Sequence, residues 1–236
     1  MTAGTGSLVL LRHGQSTSNA AGRFTGWQDV PLTDRGRAEA GRAGRLLSEV
    51  GPEPHVVHTS LLSRAIETTD LVLAELGRRS LPVERTWRLN ERHYGALTGL
   101  RKEQVRSAVG EPVYRLWRNS LTVAPPATAT SELARLHADC HGALPAGTEL
   151  VPAGESIGEV LRRVLPWWLH RAVPQLRHGL NLLVVAHGNS LRALICHLDR
   201  LTQAELDGFR LEAGHPLRYD FDELLRPVRR GGQALG

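Results

Sequence analysis

Two short apolar runs, each ending in His-Gly, constrain this chain more than any other feature. Leu8-Val9-Leu10-Leu11 leads into Arg12-His13-Gly14-Gln15-Ser16, and Leu182-Leu183-Val184-Val185-Ala186 leads into His187-Gly188-Asn189-Ser190. Unbroken apolar stretches of this length suit strands buried on both faces, as in a parallel sheet covered by helices. Ligands of such sheets collect beyond the carboxyl ends of the strands. Two histidines delivered there point to chemistry more than to packing.

The stretches between the runs alternate in the same sense. Thr33 predicts a cap for a helix over about 34–50, with Ala43, Leu46, Leu47 and Val50 on one face and Gly51-Pro52 as its stop. A strand is expected at His55–Thr59, then an amphipathic helix over 61–77 and strand character over Pro82–Arg88. Residues 101–119 read as one or two helices, with Pro112 starting the second. Ser156-Ile157-Gly158-Glu159 matches a capping box and opens a helix to about Leu176. Its inward face is expected to run from Ile157 to Leu169, and Pro174 to close it early. A helix over 189–198 and an edge strand over Leu217–Phe221 complete the pattern. The expected architecture is a three-layer α/β/α domain around a mostly parallel sheet. It spans residues 1–236, with a core over about 7–226, a surface excursion over 122–154 rich in Ala, Pro, Thr and Gly, and a short tail over 227–236.

Composition narrows the class. The chain is 41% hydrophobic and 22% charged, enough for a full core. Its two cysteines, Cys140 and Cys196, indicate no disulfide framework. No stretch has the length of a membrane span, and the run from Leu8 is too short for a signal-peptide core, so a soluble cytoplasmic protein is expected. The formal net charge of +5 is carried by many arginines and very few lysines. Such a balance attracts nucleic acid or a small anionic substrate, and a high-GC genome enriches arginine as well. Aromatic residues make up only 5%, which argues against base-stacking platforms and a nucleic-acid partner.

Histidine beside arginine carries the chemistry. No His-Glu-x-x-His or paired Cys-x-x-Cys spacing supports a metal, and His137, Cys140 and His141 lie in the excursion. Neither a Gly-x-Ser-x-Gly elbow nor a Walker-type loop is present. Arg12 adjoins His13, and Arg64 follows the strand end at Thr59-Ser60 near the start of a helix. Arginines converging on a helix N-terminus make a site for a phosphate dianion. A neutral imidazole there can attack phosphorus, and the neighbouring cations keep it neutral. His187 is placed to stabilise the equatorial oxygens of the transferring group. Arg64 taken alone would more often be a surface residue. Glu91, in Asn90-Glu91-Arg92-His93-Tyr94-Gly95, is the candidate acid and base, although a lone glutamate after a strand is more often a solvated loop charge. Substrate binding is expected to poise it.

Taken together, Arg12-His13-Gly14, Phe24-Thr25-Gly26-Trp27, Thr59-Ser60 with Arg64-Ala65, Asn90 through Gly95, and Ala186-His187-Gly188-Asn189-Ser190-Leu191-Arg192 resemble the cofactor-dependent phosphoglycerate mutases of the histidine phosphatase superfamily. The similarity runs from about residue 7 to about residue 226 in the same order. It implies that His13 carries the phosphoryl group, primed by 2,3-bisphosphoglycerate, during interconversion of 3- and 2-phosphoglycerate in glycolysis and gluconeogenesis. Glu91 would be acid and base, and His187 the stabiliser. The resemblance places Arg12, Asn19, Arg64, His187 and Gly188 around the phosphoryl group. It places Thr25, Gly26, Arg92, Tyr94, Lys102, Arg118 and Asn189 around the remaining phosphate and carboxylate, with Asn119 beside them. It implies no metal and a dimer or tetramer of identical chains.

The chain departs from the family at Gln15, often glutamate, and at Thr17, usually tryptophan. Asn119 stands where a second arginine usually follows the one at Arg118. Losing that guanidinium should weaken the grip on a tri-anionic ligand, since a charge-assisted contact contributes roughly 1.5–3 kcal/mol. A chain stopping at Gly236 lacks the long C-terminal tail of many such mutases, which would let more water reach a phosphohistidine. Three readings follow: the mutase, a phosphatase of the same fold acting on another phosphomonoester, and a non-enzymatic polyanion-binding module.

Overall fold

A computed structural model of the chain describes residues 4–129 and 152–236. In chain order the elements are β1 (Leu8–Arg12), α1 (Thr17–Ala20), α2 (Asp34–Val50), β2 (Val56–Thr59), α3 (Ser63–Glu75), β3 (Val83–Arg85) and α4 (Lys102–Asn119). They continue with α5 (Ile157–Trp167), α6 (Val173–Arg177), β4 (Leu182–Ala186), α7 (Gly188–Asp199), α8 (Gln203–Gly208), β5 (Leu217–Tyr219) and β6 (Gln233–Ala234). The strands form one sheet in the order β3-β2-β4-β1-β5-β6. The first four run parallel; β5 is antiparallel to β1, and β6 to β5.

Strand alternation divides the core in two. Leu8, Leu10, Leu182, Val184 and Ala186 pack on one face against Ile157, Val160 and Val164 of α5 and Leu191, Leu194 and Ile195 of α7. Val9, Leu11, Val57, Leu183 and Val185 pack on the other against Ala43 and Leu47 of α2 and Val72 and Leu73 of α3. β1 and β4 are buried on both faces, hence their unbroken apolar sequences. A third cluster of Phe24, Tyr94, Leu97, Val105 and Tyr114 seats α4 beyond the strand ends.

The caps form as their sequences dictate. Thr33 Oγ1 accepts the N–H of Gly36 at 3.1 Å. Ser156 and Glu159 exchange backbone-to-side-chain hydrogen bonds of 2.7 and 3.2 Å. α4 breaks at Gly110, whose φ of 78° leaves the helical region, and resumes over Pro112.

Several boundaries differ from expectation. The strand expected over Pro82–Arg88 covers only Val83–Arg85, and a single tight turn over Trp87–Leu89 follows. Pro174 does not close its helix. A wide π turn over Trp168–Ala172 precedes it, and the helix continues to Arg177. Proline cannot donate to the carbonyl four residues back, and the extra residue in the wide turn takes up that mismatch. The added residue also rotates the inward face, so Trp167, Trp168, Ala172 and Leu176 are buried while Leu169 points outward at 52% exposure. Val50, expected on the buried face of α2, is exposed at the helix end. Gln233–Ala234, expected in a short tail, adds the sixth strand, and Leu235 is buried against α2 and α3. Of the excursion, Thr128 N–H bonds Ala153 O and Ala96 N–H bonds Pro126 O, fastening its two ends beside Tyr94 and Gly95. Its middle, with His137, Cys140 and His141, lies outside the described residues.

Candidate active site

β1 and β4 are neighbours in register, with Arg12 opposite Ala186, so the residues that follow them emerge side by side. His13 and His187 sit edge to face with ring centroids 4.9 Å apart. Both are buried. Gly14 lets β1 end there: a Cβ on it would lie 2.1 Å from the Gly36 carbonyl oxygen at the start of α2.

The ring contacts fix the tautomer of His13 and constrain that of His187. His13 Nδ1 lies 2.6 Å from Gly14 O. A carbonyl only accepts, so Nδ1 carries the proton and Nε2 presents a lone pair. Burial first, then the charges of Arg64 and Arg12, holds the His13 imidazolium well below its ordinary pKa. His187 Nε2 lies 2.7 Å from Ser60 Oγ, which also accepts the N–H of Leu62. The hydroxyl can donate to Nε2 or accept from it. In the tautomer where it donates, the ring proton sits on Nδ1, a buried atom without a protein partner and so a donor open to an incoming acceptor. Burial and then Arg64 keep His187 neutral as well.

Arginines surround the pair. Arg64, fully enclosed at the start of α3, donates to Gly26 O and Gln28 O at 2.9 Å each. Burial draws its pKa down to about 10. Arg12 donates to Leu211 O at 3.0 Å and leaves its Nε–H buried and unpartnered. Gly188 opens α7 with the Arg12 guanidinium and Glu91 Oε2 beside it. Glu91 Oε1 accepts the backbone N–H of Arg92 and of Asn189 at 2.7 and 3.1 Å, so Oε2 is the oxygen left for other business.

These groups line one cavity of about 330 Å³. Arg12, His13, Asn19, Thr25, Arg64, Glu91, Tyr94, Lys102, Arg118, Asn119, Gly188 and Asn189 all face it. Asn19 closes a capping box with Ser16. Three expected residues are not part of its wall: His187, packed edge to face against His13, and two that stand behind. Gly26 gives its carbonyl to Arg64, and Arg92 packs under the Tyr94 ring at 4.6 Å with Nε and Nη2 buried and unpartnered. Lys102, the chain's only lysine, has its pKa lowered by burial and then by Arg118. Arg118 donates to Tyr114 Oη at 3.0 Å.

Part of the site has no signal in the sequence. Ser60 reads there only as a strand end, and Arg192 only as part of the second His-Gly motif. Arg23, Arg106, Arg115 and Arg210 rim the cavity mouth and carry no local signal. The loop holding Glu91 is clamped from behind by a buried ion pair, Arg163 Nε to Glu155 Oε1 at 2.6 Å. Arg163 also donates to Arg88 O, Asn90 O and Glu91 O, and Glu155 accepts His93 N–H. Among the described residues, no group of three or more His, Cys, Asp or Glu side chains is placed to hold a metal ion.

Two histidines at adjacent strand ends, one offering a lone pair and the other a proton within a ring of guanidinium groups, can pass a phosphoryl group through a covalent histidine. The family profile of the histidine phosphatase superfamily (branch 1) matches residues 8–144 and 127–223, and the chain belongs to that superfamily. The 2,3-bisphosphoglycerate-dependent phosphoglycerate mutase of Thermobifida fusca (strain YX) is 47% identical over 230 residues, covering 97% of this chain and 92% of that protein. The protein of the same name from Mycobacterium tuberculosis (strain ATCC 25618 / H37Rv) is 48% identical over 233 residues, covering 99% and 92%. Similar solved structures include mycobacterial glucosyl-3-phosphoglycerate phosphatase with VO3, at TM-score 0.70 and 27% identity over 94% of this chain and 95% of that one. The alpha-ribazole phosphatase from Shigella flexneri aligns at TM-score 0.68 and 26% identity, covering 95% of each chain.

Proposed function

We propose that this protein interconverts 3-phosphoglycerate and 2-phosphoglycerate through a phosphohistidine at His13, an isomerase of glycolysis and gluconeogenesis. The observation that carries the reading is the joining of the two-histidine centre to a wider cationic cavity. A phosphate site alone needs little beyond Arg12, Arg64 and His187, yet Lys102, Arg118, Tyr94, Asn119 and Asn189 extend the wall. Near-half identity over almost the whole chain to curated mutases supports the same activity.

2,3-bisphosphoglycerate, when bound, supplies the phosphoryl group that primes His13. The unpartnered buried donors Arg12 Nε and His187 Nδ1 fit a phosphoryl group beside His13, and Lys102 and Arg118 fit the ligand's remaining anionic groups. His13 Nε2 forms the N–P bond while the P–O bond of the donor breaks. Glu91 Oε2 returns a proton to the departing oxygen and later removes one from the attacking hydroxyl. His187 Nδ1–H and the Arg12 and Arg64 guanidinium groups hold the equatorial oxygens as charge spreads over them. A cytoplasmic location and assembly into a dimer or tetramer accompany this reading. Among the described residues no helix is long and apolar enough to cross a membrane.

The test supplies 3-phosphoglycerate with a trace of 2,3-bisphosphoglycerate and follows 2-phosphoglycerate against free phosphate. Isomer formation far exceeding phosphate release is expected. Phosphate without isomer would replace the mutase with a phosphatase, the activity named for the solved relatives. No turnover and no phosphohistidine would leave the binding module.

A further inference from the structure

Arg192, on the first turns of α7, is a buried cation with no carboxylate partner among the described residues. Its Nη1 donates to Asn189 Oδ1 at 3.2 Å and Asn119 Oδ1 at 3.4 Å. Its Nη2 donates to Leu206 O at 2.7 Å and to the same Asn119 oxygen at 3.5 Å, while Nε has no partner. Burial, then the charge of Arg92, draws its pKa down to about 10. A desolvated guanidinium among neutral oxygens and other cations is costly for the fold alone.

A guanidinium only donates, so it settles which way both amides face. The Asn189 oxygen meets Arg192, and its Nδ2 therefore donates to Tyr94 Oη at 2.8 Å. Tyr94 Oη, having accepted, keeps its own hydrogen for the cavity that it lines. The Asn119 oxygen also meets Arg192. Its Nδ2 has no partner among the described residues and is the polar atom left for the cavity wall. Two neutral donors, Asn119 Nδ2–H and Tyr94 O–H, thus line one end of the cavity, with a positive charge behind them.

We propose that Arg192 orients Asn119 and, through Asn189, Tyr94 into a donor pair that reads the carboxylate of the substrate. Neutral donors backed by one relayed charge suit a monoanionic carboxylate. The phosphate dianions fall to the unrelayed guanidinium and ammonium groups of Arg12, Arg64, Lys102 and Arg118. Arg192 borders the same cavity, but both its Nη atoms are engaged by Asn119, Asn189 and Leu206 and its Nε is buried. It is then a positioning residue that acts through the two amides. Asn119, where a second arginine is usual, becomes a reader rather than a lost contact. This assignment rests on the mutase reading above.

The test compares dissociation constants, by calorimetry, for 3-phosphoglycerate and for glycerol 3-phosphate, which keeps the phosphate and lacks the carboxylate. Asn119→Asp is the decisive variant. It places a carboxylate against Arg192, so a purely structural contact becomes stronger and the melting temperature holds or rises. The same change puts an anion where a donor stood. The preference for 3-phosphoglycerate over glycerol 3-phosphate is expected to fall at least tenfold, with the loss in KM rather than kcat. Arg192→Met is expected to lower the preference similarly. If that variant fails to fold, Asn119→Asp still decides. A folded Asn119→Asp protein that keeps the wild-type preference overturns the proposal. A wild-type protein that prefers 3-phosphoglycerate yet does not isomerise it refutes the mutase reading instead.

Discussion

Ser60→Ala isolates the contact that fixes the second histidine. Ser60 Oγ lies 2.7 Å from His187 Nε2, and nothing else among the described residues holds that ring nitrogen. The substitution leaves Nε2 buried without a partner and frees the ring to move its proton from Nδ1 to Nε2. A neutral hydrogen bond of this kind contributes about 1 kcal/mol, and about 1.5–3 kcal/mol once one partner bears charge. His187 gains charge character only as its Nδ1–H tightens on the transferring group. The excess of about 0.5–2 kcal/mol therefore falls on the transition state, equivalent to a loss of about 2- to 30-fold in kcat. KM should change less than twofold, because Ser60 does not line the cavity. The N–H of Leu62 also loses its acceptor at the start of α3, at a cost of about 1 kcal/mol of stability. Steady-state isomerisation kinetics beside a thermal melt separates the two effects. An unchanged kcat, or a loss residing wholly in KM, would refute the tautomer reasoning.

Three further outcomes follow from the same geometry. Arg163→Met leaves Glu155 buried and unpaired, so thermal melts should show a loss of about 3–5 kcal/mol. Arg163→Met with Glu155→Leu should recover most of that stability but not kcat, because the Glu91 loop stays unclamped; recovered kcat would contradict the clamp. His13, His58 and His187 have pKa values lowered by burial, and burial lowers His93 to about 4. The unfolded chain, with histidines near 6.5, binds more protons below that pH, so stability is full above it and is lost as pH falls. Each such group adds a slope of up to about 1.4 kcal/mol per pH unit, and a flat melting temperature between pH 7 and 5 would count against four neutral buried histidines. The exposed arginines at the cavity mouth should make kcat/KM fall several-fold from about 0.02 to 0.2 M salt. Arg115→Glu should flatten that dependence, and a salt-independent wild type would exclude steering.

What could be read from the sequence was what has a local signature. The apolar runs of β1 and β4 announced themselves because strands buried on both faces need no polar alternation. Their His-Gly ends followed from the same strand geometry. The Ser156–Glu159 capping box and the restart of α4 at Pro112 are set by neighbours within a few residues. The supports of the site had no such signature. Arg163 and Glu155 meet the loop at 88–93 from more than sixty residues away, and an arginine on a helix looks the same in sequence whether it faces water or a carboxylate. Ser60 gains its role only from a histidine 127 positions later. The pairing of Gln233–Ala234 with β5 was hidden because two residues among glycines carry no strand pattern. Asn119 read as a deficit in isolation; beside Arg192 its amide acquires a direction.

The central claim is that His13 receives the phosphoryl group on Nε2, because Nδ1 is committed to Gly14 O. Phosphorus NMR of the enzyme primed with 2,3-bisphosphoglycerate and quenched in base, with peptide mapping by mass spectrometry, tests it directly. One phosphate on His13 at Nε2, chased into 2-phosphoglycerate when 3-phosphoglycerate is added, is the expected result. Phosphate attached to Nδ1 or to His187, or released to water without passing to the added acid, would contradict the account.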